Sequence, residues 1–272
     1  MQFRNYPIHI VYSRHSQDGA DNTAAEFYIS GDQHMYDWMK TTGKALMEIV
    51  EDSAPAYRQE ALAYENAIKK QLDTIVATPA GKCLFDMLDP DTKIWILPDP
   101  NLAWSAQTWP IKTVKEGGGV RMHFNPEDWD EIIDDTLVHE FTHALRFGTK
   151  RFAPGRTPVP IGDFPTLEEF MATHVSNVYR SSLGKTRLFQ TYNYIQGKFS
   201  DKGTIYSEFI QNPNFILALR YCIDREPLVQ RISKFPIRHP EFNPFRDFAI
   251  LERMALGKLQ QTGYGAGQFM RL

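Results

Sequence analysis

The segment His139-Glu140-Phe141-Thr142-His143 constrains this chain more than any other. Residues four apart on a helix stack one turn apart on the same face, so His139 and His143 can offer two imidazole nitrogens to one metal ion only if the segment is helical. Its surroundings meet that requirement. Ile132, Ile133, Thr136, Leu137, Phe141, Ala144 and Leu145 place a mostly apolar stripe at helical spacing around the motif. Two histidines in a helix built for burial are costly without a partner. Glu140 follows the first histidine directly and can lie beside the coordination position a metal would keep open. A carboxylate there can take a proton from water, which zinc acidifies to a pKa of about 7. Short H-E-x-x-H strings also arise by chance, and the helical context is what separates this one from coincidence.

Catalytic zinc usually has three protein ligands and a water. The third ligand is expected downstream, from Glu168 or Glu169 at the start of a predicted helix over 167–179. Glu169 is preferred. Ala172, Thr173 and Ser176 lie on its side and are small, which would let this helix approach the motif helix closely. Glu168 borders the apolar face through Met171 and Val175 and is the alternative. The carboxylate that binds no metal would favour the helix dipole from the first turn. Thr173 is a candidate hydrogen-bond partner for a ligand histidine. Tyr179, Tyr192 and Tyr194 are candidates for stabilising an oxyanion. His174 falls on the apolar face and reads as a satisfied core residue. His123 either flanks the cleft or decorates a sheet, and His9, His15, His34 and His239 carry no ligand spacing.

The rest of the pattern predicts a single α+β domain over 1–272, mostly helical with a small sheet. Strands are expected at 8–12, 27–29, 93–97 and 120–124, where β-branched and aromatic residues concentrate. Helices are expected at 35–50, from Pro55 through Leu72, at 82–88, and from the Asn125-Pro126 cap to Gly148. Residues 101–119, with Trp104, Trp109, Pro110 and three glycines at the end, read as an exposed hairpin or loop. The proline-rich stretch 151–165 reads as a loop. Beyond Thr186 the chain reads as helices broken at Pro213, Pro227, Pro236, Pro240 and Pro244. The strand at 120–124 is expected at a sheet edge beside the motif helix, where a substrate peptide can pair by adding a strand.

A formal net charge of -3 gives no global field favouring nucleic acid or an anionic membrane. Arg180, Lys185 and Arg187 read as a solvated face. Cys83 and Cys222 are too few for a disulfide framework and read as a reduced pair, with one bridge as the alternative. No apolar stretch reaches the roughly 18 residues of a membrane span, and the first residues lack the pattern of a cleavable secretory signal. Gly81-Lys82 lacks the upstream glycine of a phosphate loop, and no G-x-S-x-G appears.

Several segments together carry a resemblance. His-Glu-Phe-Thr-His-Ala-Leu-Arg at 139–146, Glu-Glu-Phe-Met-Ala at 168–172 and Asn-Val-Tyr-Arg-Ser at 177–181 are the core of it. Thr-Pro-Ala-Gly-Lys at 78–82 and Phe-Asn-Pro-Phe-Arg-Asp at 242–247 extend it. The chain resembles the effector zinc metallopeptidases delivered by type III and type VI secretion systems of Gram-negative bacteria, over roughly residues 60 to 250. The resemblance implies a zincin-like core, Zn2+ held by His139, His143 and Glu169, and Glu140 as general base. It implies a protein or peptide substrate inside a target cell, a secretion-system carrier and an immunity protein as further partners, and cytoplasmic residence before delivery. An acidic or amide residue often follows the Ala in such peptidases, where this chain has Thr173. Two other functions stay open at this point: a zinc hydrolase of a small amide or cell-wall peptide, and a non-enzymatic metal-containing binding protein.

Overall fold

A computed structural model of the chain describes residues 2–10, 12–15, 25–28, 55–98, 106–111, 119–124, 133–152, 161–191 and 199–261. The elements, in chain order, are β1 (Ile8–Ile10), β2 (Tyr12–His15), β3 (Ala25–Tyr28), α1 (Pro55–Val76), α2 (Pro79–Phe85), β4 (Lys93–Leu97), β5 (Gln107–Ile111), β6 (Gly119–His123), α3 (Ile133–Gly148), α4 (Leu167–Ser182), β7 (Leu188–Phe189), β8 (Phe199–Ser200), α5 (Lys202–Gln211), α6 (Pro213–Arg225), α7 (Pro227–Ile232) and α8 (Phe248–Gln261). The result is a mixed, mostly helical chain with a small sheet, as an α+β class requires. It divides into two compact units, Met1–Ala77 with Phe85–Arg151, and Thr78–Leu84 with Phe152–Leu272. The helix expected at 35–50 and the cap at Asn125 lie outside the described residues.

In the first unit a four-stranded sheet runs in the order β1-β4-β6-β5. β1, β4 and β6 are parallel, and β5 pairs antiparallel with β6. Ile8, Ile10, Ile94, Ile96, Leu97, Val120 and Met122 are all buried. Near-continuous apolar runs of this kind suit parallel strands covered on both faces. Helix α1 buries Ala61, Tyr64, Ile68, Leu72 and Ile75, a stripe at spacings of three and four. The Tyr64 hydroxyl donates to the carbonyl of Phe124 at 2.8 Å, tying α1 to the end of β6. Helix α3 lies against α1, β5 and β6. The Phe141 ring meets Phe85 edge-on at 4.8 Å.

One expectation changes here. Residues 120–124 do not form an edge strand: β6 is flanked by β4 and β5, so its backbone is already paired, and the peptide-pairing expectation at Met122 falls with it. Among the described residues the edge on that side belongs to β5, inside the segment read as a hairpin or loop. Its antiparallel pairing with β6 is the hairpin alternative of that reading, and an edge position tolerates Pro110 when its nitrogen faces away from the ladder.

Gly119, the last of the three glycines and the first residue of β6, is a packing residue. A Cβ at Gly119 would lie 2.1 Å from Cζ3 of Trp95, whose ring crosses that position. Trp95 is itself buried. Gly119→Ala is therefore expected to lower unfolding stability by about 1–3 kcal/mol, through displacement of the indole. Urea denaturation would check this, and an unchanged midpoint would mean the ring moves freely.

In the second unit α4 is buried along nearly its whole length, from Phe170 to Ser181. Thr166 caps it, accepting the amide of Glu169 at 3.2 Å. Asn177 fixes β7 by two buried bonds, donating to the Phe189 carbonyl at 2.8 Å and accepting the Phe189 amide at 2.7 Å. Arg180 is buried rather than solvated. Its Nε donates to the Arg187 carbonyl at 2.8 Å, and its guanidinium stacks 4.7 Å from the Phe189 ring and 5.0 Å from Phe199. Stacking suits its planar, weakly hydrated guanidinium.

Prolines 213 and 227 open helices α6 and α7 instead of merely ending earlier ones, since the first helical position needs no amide donor. The short helix expected at 82–88 starts three residues earlier for the same reason, at Pro79, with Thr78 accepting the Gly81 amide at 3.0 Å. The proline-broken stretch 233–247 is held by polar side chains. Arg246 donates to the carbonyls of Pro236 and Pro240 and pairs with Asp247, and Tyr206 donates to Asp247 at 2.6 Å. Burial, then the Asp247 carboxylate, raises the Tyr206 pKa far above its usual range. Asn243 donates to the Ile232 carbonyl, and the Phe242 amide donates to Ser181 Oγ. Cys83 and Cys222 are unbridged.

Candidate metal centre

The motif residues sit in the interior part of α3. Thr142 turns its hydroxyl back to the Val138 carbonyl at 2.9 Å, so the helix satisfies this polar side chain itself. His139 and His143, one turn apart, are 2% and 6% exposed. Their Nε2 atoms approach to 3.0 Å and their rings cross at 79°. Two ligand nitrogens about 2.0–2.1 Å from one tetrahedral zinc would stand about 3.3 Å apart. The observed spacing is close to that, so a small adjustment of either ring opens a shared coordination position.

One ligand atom from each of His139, His143 and Glu169 lies within 4.8 Å of the others. Glu168 is not in this cluster. It is buried, whereas Glu169 is half-buried. Two imidazoles and a carboxylate form a donor set that suits zinc. Glu140 is 8% exposed and belongs to the same helix.

One contact of Glu140 has no counterpart in the sequence reading. The hydroxyl of Thr108, on β5, donates to Glu140 Oε2 at 2.5 Å, and the Thr108 oxygen lies 3.5 Å from the Glu140 main-chain carbonyl. Thr108 is 32 positions upstream, in the segment expected as an exposed hairpin or loop, and no local pattern tied its hydroxyl to Glu140. The register of β5, with Thr108 opposite Met122, sets it there.

The remaining candidates are distributed as follows. Tyr179 and Thr173 are fully buried in α4, and Tyr192 and Tyr194 lie outside the described residues. His123 is buried in β6. His174 is a core residue, 1% exposed, but not a satisfied one: neither ring nitrogen has a hydrogen-bond partner among the described residues. It stands among Phe164, Phe170, Phe209 and Phe242, with ring centroids 4.5–6.4 Å away. The nearest two rings, Phe170 and Phe209, meet it nearly edge to face, the arrangement that lets an N–H or ring edge rest on a π face. Burial lowers its pKa from 6.5 to about 3.

No protein-family model matches the chain, and neither the curated proteins nor the solved structures searched give a match.

Proposed function

We propose that this chain is a zinc-dependent peptidase that hydrolyses a protein target, with His139, His143 and Glu169 as metal ligands and Glu140 as general base. The observation that carries the reading is the convergence of these three donors within 4.8 Å, with a buried carboxylate following the first histidine. A purely structural zinc site closes its shell with four protein ligands and needs no carboxylate beside it, whereas three ligands with a neighbouring base suit catalysis. When bound, zinc would supply Lewis-acid polarisation of the scissile carbonyl and of the attacking water. Glu140 takes a proton from that water as its oxygen bonds to the carbonyl carbon. It then returns the proton to the amide nitrogen as the C–N bond breaks.

Among the described residues β5 is the edge strand of the sheet, which supports a peptide substrate. A proline in a paired strand directs its nitrogen away from the ladder. Pro110 therefore sets which backbone groups of β5 face outward: those of Thr108 and Pro110, two residues apart. An extended peptide would pair there by adding a strand, on the strand that packs against the helix carrying the base. The effector role, its carrier and its immunity partner rest on the sequence resemblance and belong to the same proposal. No helix among the described residues is long and apolar enough to cross a membrane.

The first test is the zinc content of the purified chain beside His143→Ala and Glu169→Ala. About one zinc per chain, with affinity reduced at least about 100-fold in both variants, is the expected result for a three-ligand site. A wild-type chain that takes up no zinc on reconstitution would remove the basis of the reading.

A further inference from the structure

We infer that Thr108 is a positioning residue for Glu140: its hydroxyl on edge strand β5 holds the carboxylate on α3 in the orientation that proton transfer needs. The inference rests on the peptidase reading above and adds a residue to it.

The geometry is specific. The Thr108 hydroxyl donates to Oε2 of Glu140 at 2.5 Å. A glutamate has three side-chain torsions, and a general base must hold its oxygen within hydrogen-bond reach of one proton. A donor fixed by the sheet removes much of that freedom. Thr108 is well suited to be fixed. It is β-branched and therefore stiff at its first torsion, it is paired opposite Met122 in the antiparallel ladder, and Met122 is buried in the core. The hydroxyl oxygen also lies 3.5 Å from the Glu140 main-chain carbonyl, so Thr108 packs against the turn of the helix that carries the base.

The same residue would face the substrate. Its backbone groups are those that Pro110 leaves pointing away from β6. Pairing of a peptide with β5 and orientation of the base thus meet at one position. Thr108 makes no covalent contact with the reacting atoms in this scheme; it acts through Glu140.

The test uses the full chain loaded with zinc, with denatured casein as the protein substrate. Thr108→Val keeps the shape and removes the hydroxyl, and Thr108→Ser keeps the hydroxyl. Val is expected to lower kcat about 10- to 100-fold with little change in KM or in zinc content, which corresponds to loss of one hydrogen bond to a charged group. Ser is expected to recover most of that loss. In a Glu140→Gln background, Val should lower the residual rate no further, because both substitutions disable one device. An unchanged kcat in Thr108→Val, or a loss that Ser does not recover, overturns the positioning role and leaves the peptidase reading standing. If the zinc-loaded wild type cleaves no casein, the peptidase reading is what is weakened, and thermal melting then judges the contact. Thr108→Val should lower Tm by about 2–4 °C in the wild type and not in Glu140→Ala. Equal lowering in both backgrounds would overturn the pairing.

Discussion

Glu140→Gln is expected to reduce hydrolysis by about 10²–10⁴-fold, or to below detection, while the chain keeps its zinc. The substitution isolates proton transfer. Gln has the same length and shape, so the packing of α3 around a residue only 8% exposed is preserved. Its amide oxygen can still accept the Thr108 hydroxyl, so the link to β5 survives. What it cannot do is accept a proton at neutral pH. The proposed ligands His139, His143 and Glu169 are untouched, so zinc stoichiometry should match the wild type. His143→Ala should behave in the opposite way, with metal and activity lost together. Parallel measurement of zinc content and peptide hydrolysis separates the two cases. A fully active Glu140→Gln chain would exclude this residue as the base. A chain that loses both zinc and activity would mean that Glu140 supports the metal site instead of the chemistry.

The motif helix was legible in the sequence because its evidence is local. A spacing of four, an apolar stripe and a terminal glycine are read within sixteen residues, and α3 ends at Gly148 as expected. β4 occupies the predicted residues 93–97, since an apolar run bounded by prolines has few other solutions. The choice between Glu168 and Glu169 could be argued from small neighbours, and the donor cluster contains Glu169. Thr108 was not legible. Its role depends on the register of the pairing between 107–111 and 119–123 and on the placement of α3 against β5, which a hairpin-or-loop reading does not specify. The parallel pairing of β1 with β4 brings together residues more than eighty positions apart, which periodicity does not encode. Arg180 was misread for a related reason. A basic residue near two others looks solvated until the aromatic rings that cover it, Phe189 and Phe199, are placed in space. The segment 242–247 looked like a loose family signature. In the structure its residues hold the unit together through Ser181, Ile232, Pro236, Pro240 and Tyr206.

His174 gives the second large effect, on stability instead of activity. Acidification from pH 7 is expected to destabilise the fold through this one ring, and His174→Leu should remove that part of the pH dependence. The unfolded chain takes up the proton near pH 6.5, whereas in the folded state burial lowers the pKa to about 3. Between those values the unfolded state binds more protons, so stability rises with pH and falls as the solution becomes more acidic. The loss begins near pH 6.5. It reaches about 2.5 kcal/mol at pH 4.5, and about 5 kcal/mol when the folded pKa is passed, at 1.36 kcal/mol per unit. Leucine fills a similar volume among Phe164, Phe170, Phe209 and Phe242 and has no polar atoms to satisfy. At pH 7 it should raise stability by about 1–3 kcal/mol, because both imidazole nitrogens lack a hydrogen-bond partner among the described residues. Carboxylates elsewhere also titrate in this range, so the informative quantity is the difference between the two chains, in which those contributions cancel. Urea unfolding of both at pH 7, 5.5 and 4.5 should give curves that diverge as the pH falls. Parallel curves would show that the ring is solvated or paired when protonated, and that the aromatic cage does not exclude its charge.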